Sequence, residues 1–196
     1  MYCCFNQSYK IRPAVFDVWM RLLHACPESV LWLLGGDPWT THNLRREAAA
    51  RGVAAQRIVS APRVPNAEHI ARHQLADLFL DTLPCNAHAT ASDALWAGLP
   101  LLTCLGNTFA GRVGASLLRA VGLPELVTES LAQYEAAAIA LARDPQRLAA
   151  IRVNLARNRN TEPLFDTAGF TRDLEAAFEA MWRRQRADLA PEAIAV

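Results

Sequence analysis

Short apolar runs alternate with segments of helical periodicity along the first two thirds of the chain. Residues 30–34 (VLWLL) form one continuous apolar run, which is typical of a strand buried on both faces of a sheet. Such runs predict strands at residues 2–5, 30–34, 57–60, 78–81 and 101–104. Strands this short, separated by helices, predict an α/β fold with a doubly wound parallel sheet and right-handed crossovers.

The segments between these runs predict helices, because their apolar residues recur every three or four positions. The first helix begins near Pro13, a residue that suits the first turn. Asn43 is the candidate N-cap of the second helix, which ends at Gly52. Further helices are predicted at residues 67–74, 90–97 and 111–121.

The last third of the chain has a different pattern. After about residue 130 the strands stop, and two or three helices follow. The last helix, at residues 167–186, carries one apolar stripe made of Phe170, Leu174, Phe178, Met181 and Trp182. We therefore predict an α/β lobe at residues 1–128, C-terminal helices that complete it at 129–186, and a flexible tail at 187–196.

Composition narrows the class of protein. The 196 residues carry a formal net charge of +1, so electrostatics give no support for a nucleic-acid or membrane partner. Apolar runs stay short of the roughly 18 residues that a membrane span needs, and the first residues do not read as a signal peptide. Five cysteines without a CxxC pair argue against a zinc site or a disulfide framework. Buried thiols in a reducing compartment, and hence a cytoplasmic protein, are expected.

Lys10 is the only lysine, against nineteen arginines. Where a generic cation suffices this chain uses arginine, so a lysine marks a position that needs a compact point charge on a flexible stem. A cramped phosphate site is such a position. Lys10 also lies in a polar loop between a predicted strand and a helix. The alternative, a solvated lysine without a role, stays open at this point.

A second candidate is the segment CNAHATASD at residues 85–93. The sequence contains neither GxGxxG nor GxxxxGK, but this segment follows a predicted strand and opens a helix. Open α/β sheets bind ligands at that edge, where helix amides and the helix dipole favour an anion. The alternative is an ordinary helix start, in which Thr90 caps the helix and Asp93 completes the capping box.

A third candidate is the group His69, Arg72 and His73, which shares one helical face. An imidazole and a guanidinium can stack on a nucleotide base or form hydrogen bonds with it. The alternative is a solvated helix face.

Several segments, in order along the chain, resemble the catalytic region of the O-GlcNAc transferase family. These protein glycosyltransferases have a two-lobed GT-B fold, and they are usually fused to TPR repeats. The resemblance is carried by residues 2–10 (YCCFNQSYK), 29–34 (SVLWLL), 68–81 (EHIARHQLADLFLD) and 85–100 (CNAHATASDALWAGLP). It implies that residues 1–128 form a Rossmann-like lobe that binds a nucleotide sugar.

The resemblance also implies roles at the phosphate end of a UDP-sugar donor. Gln7 and Lys10 look like the residues that contact the diphosphate and the sugar. Lys10 would be the catalytic residue, because it would neutralise the charge on the leaving UDP. His88 and Thr90 look like the phosphate contacts at the helix N-terminus.

At the nucleoside end, His69 and Arg72 look like the uracil contacts and Asp93 like the ribose-binding carboxylate. The family fold needs no metal or other cofactor here, so none is expected. Two positions depart from the family pattern. Ala89 replaces one threonine of a Thr-Thr pair, and Asn66 replaces the lysine before the Glu-His pair.

By the same resemblance, the first catalytic lobe and the TPR repeats lie outside this chain. We therefore expect the donor-binding half of an enzyme that transfers GlcNAc from UDP-GlcNAc to Ser or Thr of an acceptor protein, with inversion. In the family the last helix docks towards the other lobe, so its apolar stripe should be partly exposed here. Alternatives are a related transferase that uses UDP-glucose or GDP-fucose, and a non-catalytic remnant that binds a nucleotide sugar.

Overall fold

The computed structural model describes residues 1–195, and a parallel sheet of six strands runs through this part of the chain. The strand order is β3-β2-β1-β4-β5-β6, and every pair is parallel. The predicted doubly wound fold is confirmed. The strands are β1 (Tyr2–Cys4), β2 (Leu31–Leu34), β3 (Ile58–Ala61), β4 (Leu78–Leu80), β5 (Leu101–Cys104) and β6 (Val127–Thr128).

Helices cover both faces of this sheet, as a doubly wound fold requires. The face of the first helix that was predicted to be apolar is buried in the core, from Val15 to Leu23. The helices are α1 (Pro13–Ala25), α2 (Pro38–Ala50), α3 (Asn66–Arg72), α4 (Ala89–Trp96), α5 (Val113–Ala120), α6 (Leu131–Arg143), α7 (Pro145–Asn158) and α8 (Thr167–Arg186).

The structure contradicts the predicted N-cap of α2 and the alternative interpretation in which Thr90 caps α4. Helix α2 begins at Pro38, because Asp37 accepts a hydrogen bond from the Thr40 amide and a proline suits the first helical position. Asn43, the predicted N-cap, therefore lies inside the helix. Helix α4 has His88 at its N-cap, and Thr90 donates its hydroxyl to Asn6 instead of capping the helix.

Strand β6 was not predicted. It has only two residues, so no periodicity could reveal it, and it pairs with the end of β5. The division into a lobe, completing helices and a tail stays a prediction. Residues 189–195 contain neither helix nor strand, and Val196 lies outside the described residues.

Helix α8 carries the predicted apolar stripe on an exposed face. Phe170 is 65% exposed and Trp182 is 62% exposed, and the other three residues of the stripe are exposed as well. The expected partial exposure of this helix is therefore confirmed.

The strand order reverses between β1 and β4, so the loops that follow these two strands diverge and leave a crevice at the carboxyl edge of the sheet. The buried carboxylate of Asp81 connects both loops. Its Oδ1 accepts from the backbone amides of Thr82 (2.7 Å) and Ala87 (2.6 Å) and from the side chain of Asn6 (3.3 Å). Its Oδ2 accepts from the Thr103 hydroxyl (2.6 Å) on β5.

Burial raises the pKa of Asp81 to about 6, although its hydrogen bonds work in the opposite direction. The folded protein therefore favours the protonated acid more than the unfolded chain does. Stability from this group is fully present below pH 4 and is lost as the pH rises through about 6.

Tyr134 of α6 holds the end of β4 at Asp81. Its buried hydroxyl accepts from the Trp19 indole of α1 (3.2 Å) and donates to the backbone carbonyl of Asp81 (3.1 Å). One side chain therefore connects α1, α6 and the end of β4.

The first prediction concerns this hydroxyl. Tyr134→Phe leaves the Trp19 N–H and the Asp81 carbonyl unpaired in the core, so it should lower the free energy of unfolding by about 1–3 kcal/mol. Urea denaturation measures the loss. Tyr9→Phe is the matched control, because Tyr9 is 77% exposed and should lose almost nothing. Equal urea midpoints for the two variants would contradict a stabilising role for the two hydrogen bonds of the Tyr134 hydroxyl.

The second prediction uses the Asp81→Asn variant, which cannot titrate at this position. The advantage of the wild type in unfolding free energy should shrink by about 2 kcal/mol between pH 4 and pH 7, since one pKa unit corresponds to about 1.4 kcal/mol. Chemical denaturation of both proteins across this range measures the difference, and the other titrating groups cancel. If the advantage of the wild type in unfolding free energy grew with pH, the four hydrogen-bond donors, and not burial, would dominate the pKa of Asp81.

Candidate functional site

A cavity of about 490 Å³ opens at the carboxyl edge of the sheet, beside the point where the strand order reverses. Six of the seven predicted site residues line it, although they come from three separate segments of the chain. These six are Gln7, Lys10, His69, Arg72, His88 and Thr90. The fold therefore brings together what the sequence places as much as 83 positions apart, from Gln7 to Thr90.

The cavity is cationic. Lys10, Arg63 and Arg72 contribute positive side chains, and two imidazoles lie beside them. Among the described residues, no aspartate or glutamate lines this cavity. Such a surface attracts an anionic ligand and raises its local concentration at the cavity.

Lys10 ends a single 3-10 turn, Ser8–Lys10, directly after β1. Its half-buried ammonium donates to the Asn86 carbonyl at 2.8 Å, across the crevice. Asn86 is itself fixed, because its amide donates to the Thr82 carbonyl at 2.8 Å. An ammonium has three donors, so a ligand oxygen can still bind to Lys10 without disturbing this contact.

The N-terminus of α4 faces the same cavity through Ala89 and Thr90. Among the described residues no side chain caps this helix, so its first amides and its dipole remain free for an anion. The His88 ring lies beside the Ala110 carbonyl at 3.3 Å, and its Nε2 must be the donor there. Thr90 donates to Asn6 at 2.6 Å, which leaves the lone pairs of its own oxygen available.

His69 and Arg72 form a pair on α3. The Arg72 guanidinium lies 4.7 Å from the centre of the Phe5 ring and donates to the Pro62 carbonyl at 2.6 Å. It also donates to Nδ1 of His69, because a guanidinium cannot accept. Burial, and then the charge of Arg72, lower the pKa of His69. His69 is therefore a neutral imidazole whose Nε2 carries the proton.

Two residues from the sequence analysis lie elsewhere. Asp93 sits half-buried on α4 outside the cavity lining, but its charge raises the pKa of His69 and so acts on the same region. His73 is fully buried against Phe5 and Phe79, and burial lowers its pKa to about 4. His73 is thus a core residue and does not belong to the base-binding face that its spacing suggested.

Sequence reasoning missed the residues that hold the loops in place. Asn6, Asp81 and Asn86 are all buried, and none follows a recognised motif. A signal for Asp81 was present, because a carboxylate that ends an apolar strand is rarely buried without partners. Arg63, which lines the cavity, gave no comparable signal.

Within residues 1–195 no three His, Cys, Asp or Glu side chains gather as metal ligands. The absence of a cofactor stays a prediction. In the same part of the chain, no helix combines the length and the apolar character that a bilayer crossing needs.

Known proteins are similar to this chain in sequence and in fold. The family model for glycosyl transferase family 41 matches residues 1–174. The UDP-N-acetylglucosamine–peptide N-acetylglucosaminyltransferase of Caenorhabditis elegans is 38% identical over 94% of this chain and 16% of its own length. A probable enzyme of the same name from Arabidopsis thaliana, SEC, is 39% identical over 93% of this chain and 19% of its own.

A solved O-GlcNAc transferase of Thermobaculum terrenum, in a mutant form, has a TM-score of 0.89 and 38% identity over 95% of this chain and 37% of that one. The chain thus spans less than a fifth of the two curated relatives and little more than a third of the solved structure. The predicted resemblance is confirmed, and the roles of single site residues stay predictions. By its sequence and its fold, the chain belongs to glycosyl transferase family 41.

Proposed function

We propose that this chain binds the UDP-GlcNAc donor of a protein O-glycosyltransferase. The observation that carries the proposal is the cavity itself, in which cations and an uncapped helix N-terminus meet without a carboxylate. A UDP-sugar carries a negatively charged diphosphate, which is complementary to this cationic cavity. The names of the relatives support this donor and a peptide or protein acceptor.

The donor would lie across the crevice. The Nε2–H of neutral His69, with Arg72 behind it, would face the uracil, whose carbonyl oxygens accept hydrogen bonds. Asp93 would bind the ribose hydroxyls, which requires its side chain to reach the cavity edge. The diphosphate would meet Gln7, Lys10, His88, Thr90 and the first amides of α4.

In the proposed reaction, a Ser or Thr hydroxyl oxygen of the acceptor attacks the anomeric carbon of GlcNAc. The new carbon–oxygen bond forms as the bond to the β-phosphate oxygen breaks, and the configuration inverts. The hydroxyl proton goes to a base outside this chain. Lys10 would stabilise the charge that develops on UDP by about 1.5–3 kcal/mol, and the helix N-terminus would add roughly 0.3–1 kcal/mol.

Partners complete the proposal. A second catalytic lobe and a TPR region would supply the acceptor side, which agrees with the small share of each relative that this chain covers. The exposed stripe of α8 is a surface suited to that lobe. All five cysteines are free thiols, which supports a reducing compartment and hence the cytoplasm.

The third prediction tests the donor site directly. Calorimetric titration of this chain with UDP in metal-free buffer should show binding. Lys10→Ala and Asp93→Ala should each weaken it about tenfold, the value of one hydrogen bond to a charged group. Arg147→Ala is the control, because this exposed arginine lies on α7, outside the cavity.

A folded wild-type chain that fails to bind UDP would contradict the proposal. Binding that appears only after Mg²⁺ is added would contradict the metal-free site. Titrations with UDP-glucose and GDP-fucose under the same conditions decide between donors. A chain that binds a nucleotide sugar but fails to support transfer when joined to the acceptor lobe would be the non-catalytic remnant.

The fourth prediction separates catalysis from binding. In the complete enzyme, Lys10→Ala should lower kcat about 10²–10³-fold, because its charge matters most when UDP departs. UDP affinity should fall by much less. Single-turnover kinetics beside UDP titration measures both quantities, and an unchanged rate would exclude Lys10 from the chemical step.

A further inference from the structure

Arg63 lies in the loop between β3 and α3 and lines the candidate cavity. We infer that Arg63 is a donor-binding residue, whose guanidinium provides a second cation for the diphosphate beside Lys10. The inference rests on the proposed function. It concerns a residue that the family resemblance does not mark.

Arg63 contacts Gln7, which lies on the chain segment after β1. Its Nη2 donates to Gln7 Oε1 at 3.3 Å, which joins the loop after β3 to the turn that carries Lys10. The backbone amide of Lys10 donates to the Gln7 carbonyl at 3.0 Å, so Arg63 and Lys10 reach the same turn. A contact of 3.3 Å is long for a hydrogen bond, and a phosphate oxygen can replace it with a shorter, charge-assisted one.

The loop around Arg63 is held on both sides. Pro62 and Pro65 restrict the backbone, because each ring fixes its φ angle. Arg72 donates to the Pro62 carbonyl at 2.6 Å, and the amide of Gly35 donates to the Ala61 carbonyl at 2.7 Å. A cation presented from such a loop loses little further backbone freedom when it binds a ligand.

Arg63 has no anionic partner in the described part of the chain, since none of the ion pairs there includes it. A neighbouring cavity of about 690 Å³ also includes Arg63, together with His42 and Arg45, and again has no carboxylate in its lining. The guanidinium thus lies between two cavities, and its charge is available to bind an anionic ligand.

Asn66 explains why the site would need the charge of Arg63. It lines the same cavity three residues later and is neutral, at the position where the resemblance leads one to expect a lysine. Arg63 therefore restores the positive charge of the site from a different backbone position. Its planar fork can also bind two phosphate oxygens through two parallel hydrogen bonds, a fixed geometry that the point charge of a lysine does not impose.

The test is calorimetric titration of the full chain with UDP and with uridine. Arg63→Ala should weaken UDP binding roughly tenfold and leave uridine binding unchanged, because uridine has no phosphate. Adding Asn66→Lys to Arg63→Ala should recover most of the loss. Arg147→Ala should bind UDP like the wild type. High salt should shrink the difference between wild type and Arg63→Ala, since Arg63 is exposed.

The possible failures are distinct. A wild type that does not bind UDP overturns the proposed function and this inference together. A wild type that binds UDP, with Arg63→Ala binding equally well, overturns only the role of Arg63. Equal losses for UDP and uridine, or no recovery with Asn66→Lys, overturn the replacement of charge at the diphosphate. Unfolding midpoints of all variants, which should match the wild type, exclude a folding defect.

Discussion

The carboxylate of Asp81 is the group on which the geometry of the site depends. Its four donors come from three segments: the loop after β1, the loop after β4, and β5. Space around it is filled, since a Cβ on Gly114 would lie 2.6 Å from Asp81 Oδ2. Burying a carboxylate is costly, and the hydrogen bonds offset that cost only while all donors stay in place. One buried group therefore fixes both walls of the crevice.

Protein hydrogen bonds, those of Asp81 among them, determine where the cations of the cavity lie. The amide of Ala87 donates to Asp81, and the preceding residue, Asn86, offers its carbonyl to the ammonium of Lys10. On the opposite wall, Arg72 holds the Pro62 carbonyl and thereby the loop that presents Arg63. The positive groups are positioned by protein contacts before any ligand arrives, so little reorganisation remains to be done on binding.

Periodicity predicted the five longer strands and the apolar face of α1, because burial imposes a regular pattern on local sequence. Cap preference, in contrast, failed at Asn43, because Asp37 is an equally good cap and precedes a better first helical residue, Pro38. Thr90 was a plausible cap, but its hydroxyl bonds Asn6, 84 positions away. Contacts over such distances leave no local pattern. Arg63 escaped notice for the same reason, since its importance comes from Gln7 and not from its neighbours in sequence.

Because the cavity is open to water, the interactions of these charges with a ligand are weakened. In contact with water, an ion pair is worth a small fraction of its value in a dry interior, because the effective dielectric constant is high. Lys10 is half-buried and Arg63 is exposed, so water screens both of them here. A lobe that closes over the crevice would remove this water and strengthen each contact with the diphosphate. If the proposed function holds, this chain should bind the ground-state nucleotide, and the full stabilisation of a departing UDP would require the covered site.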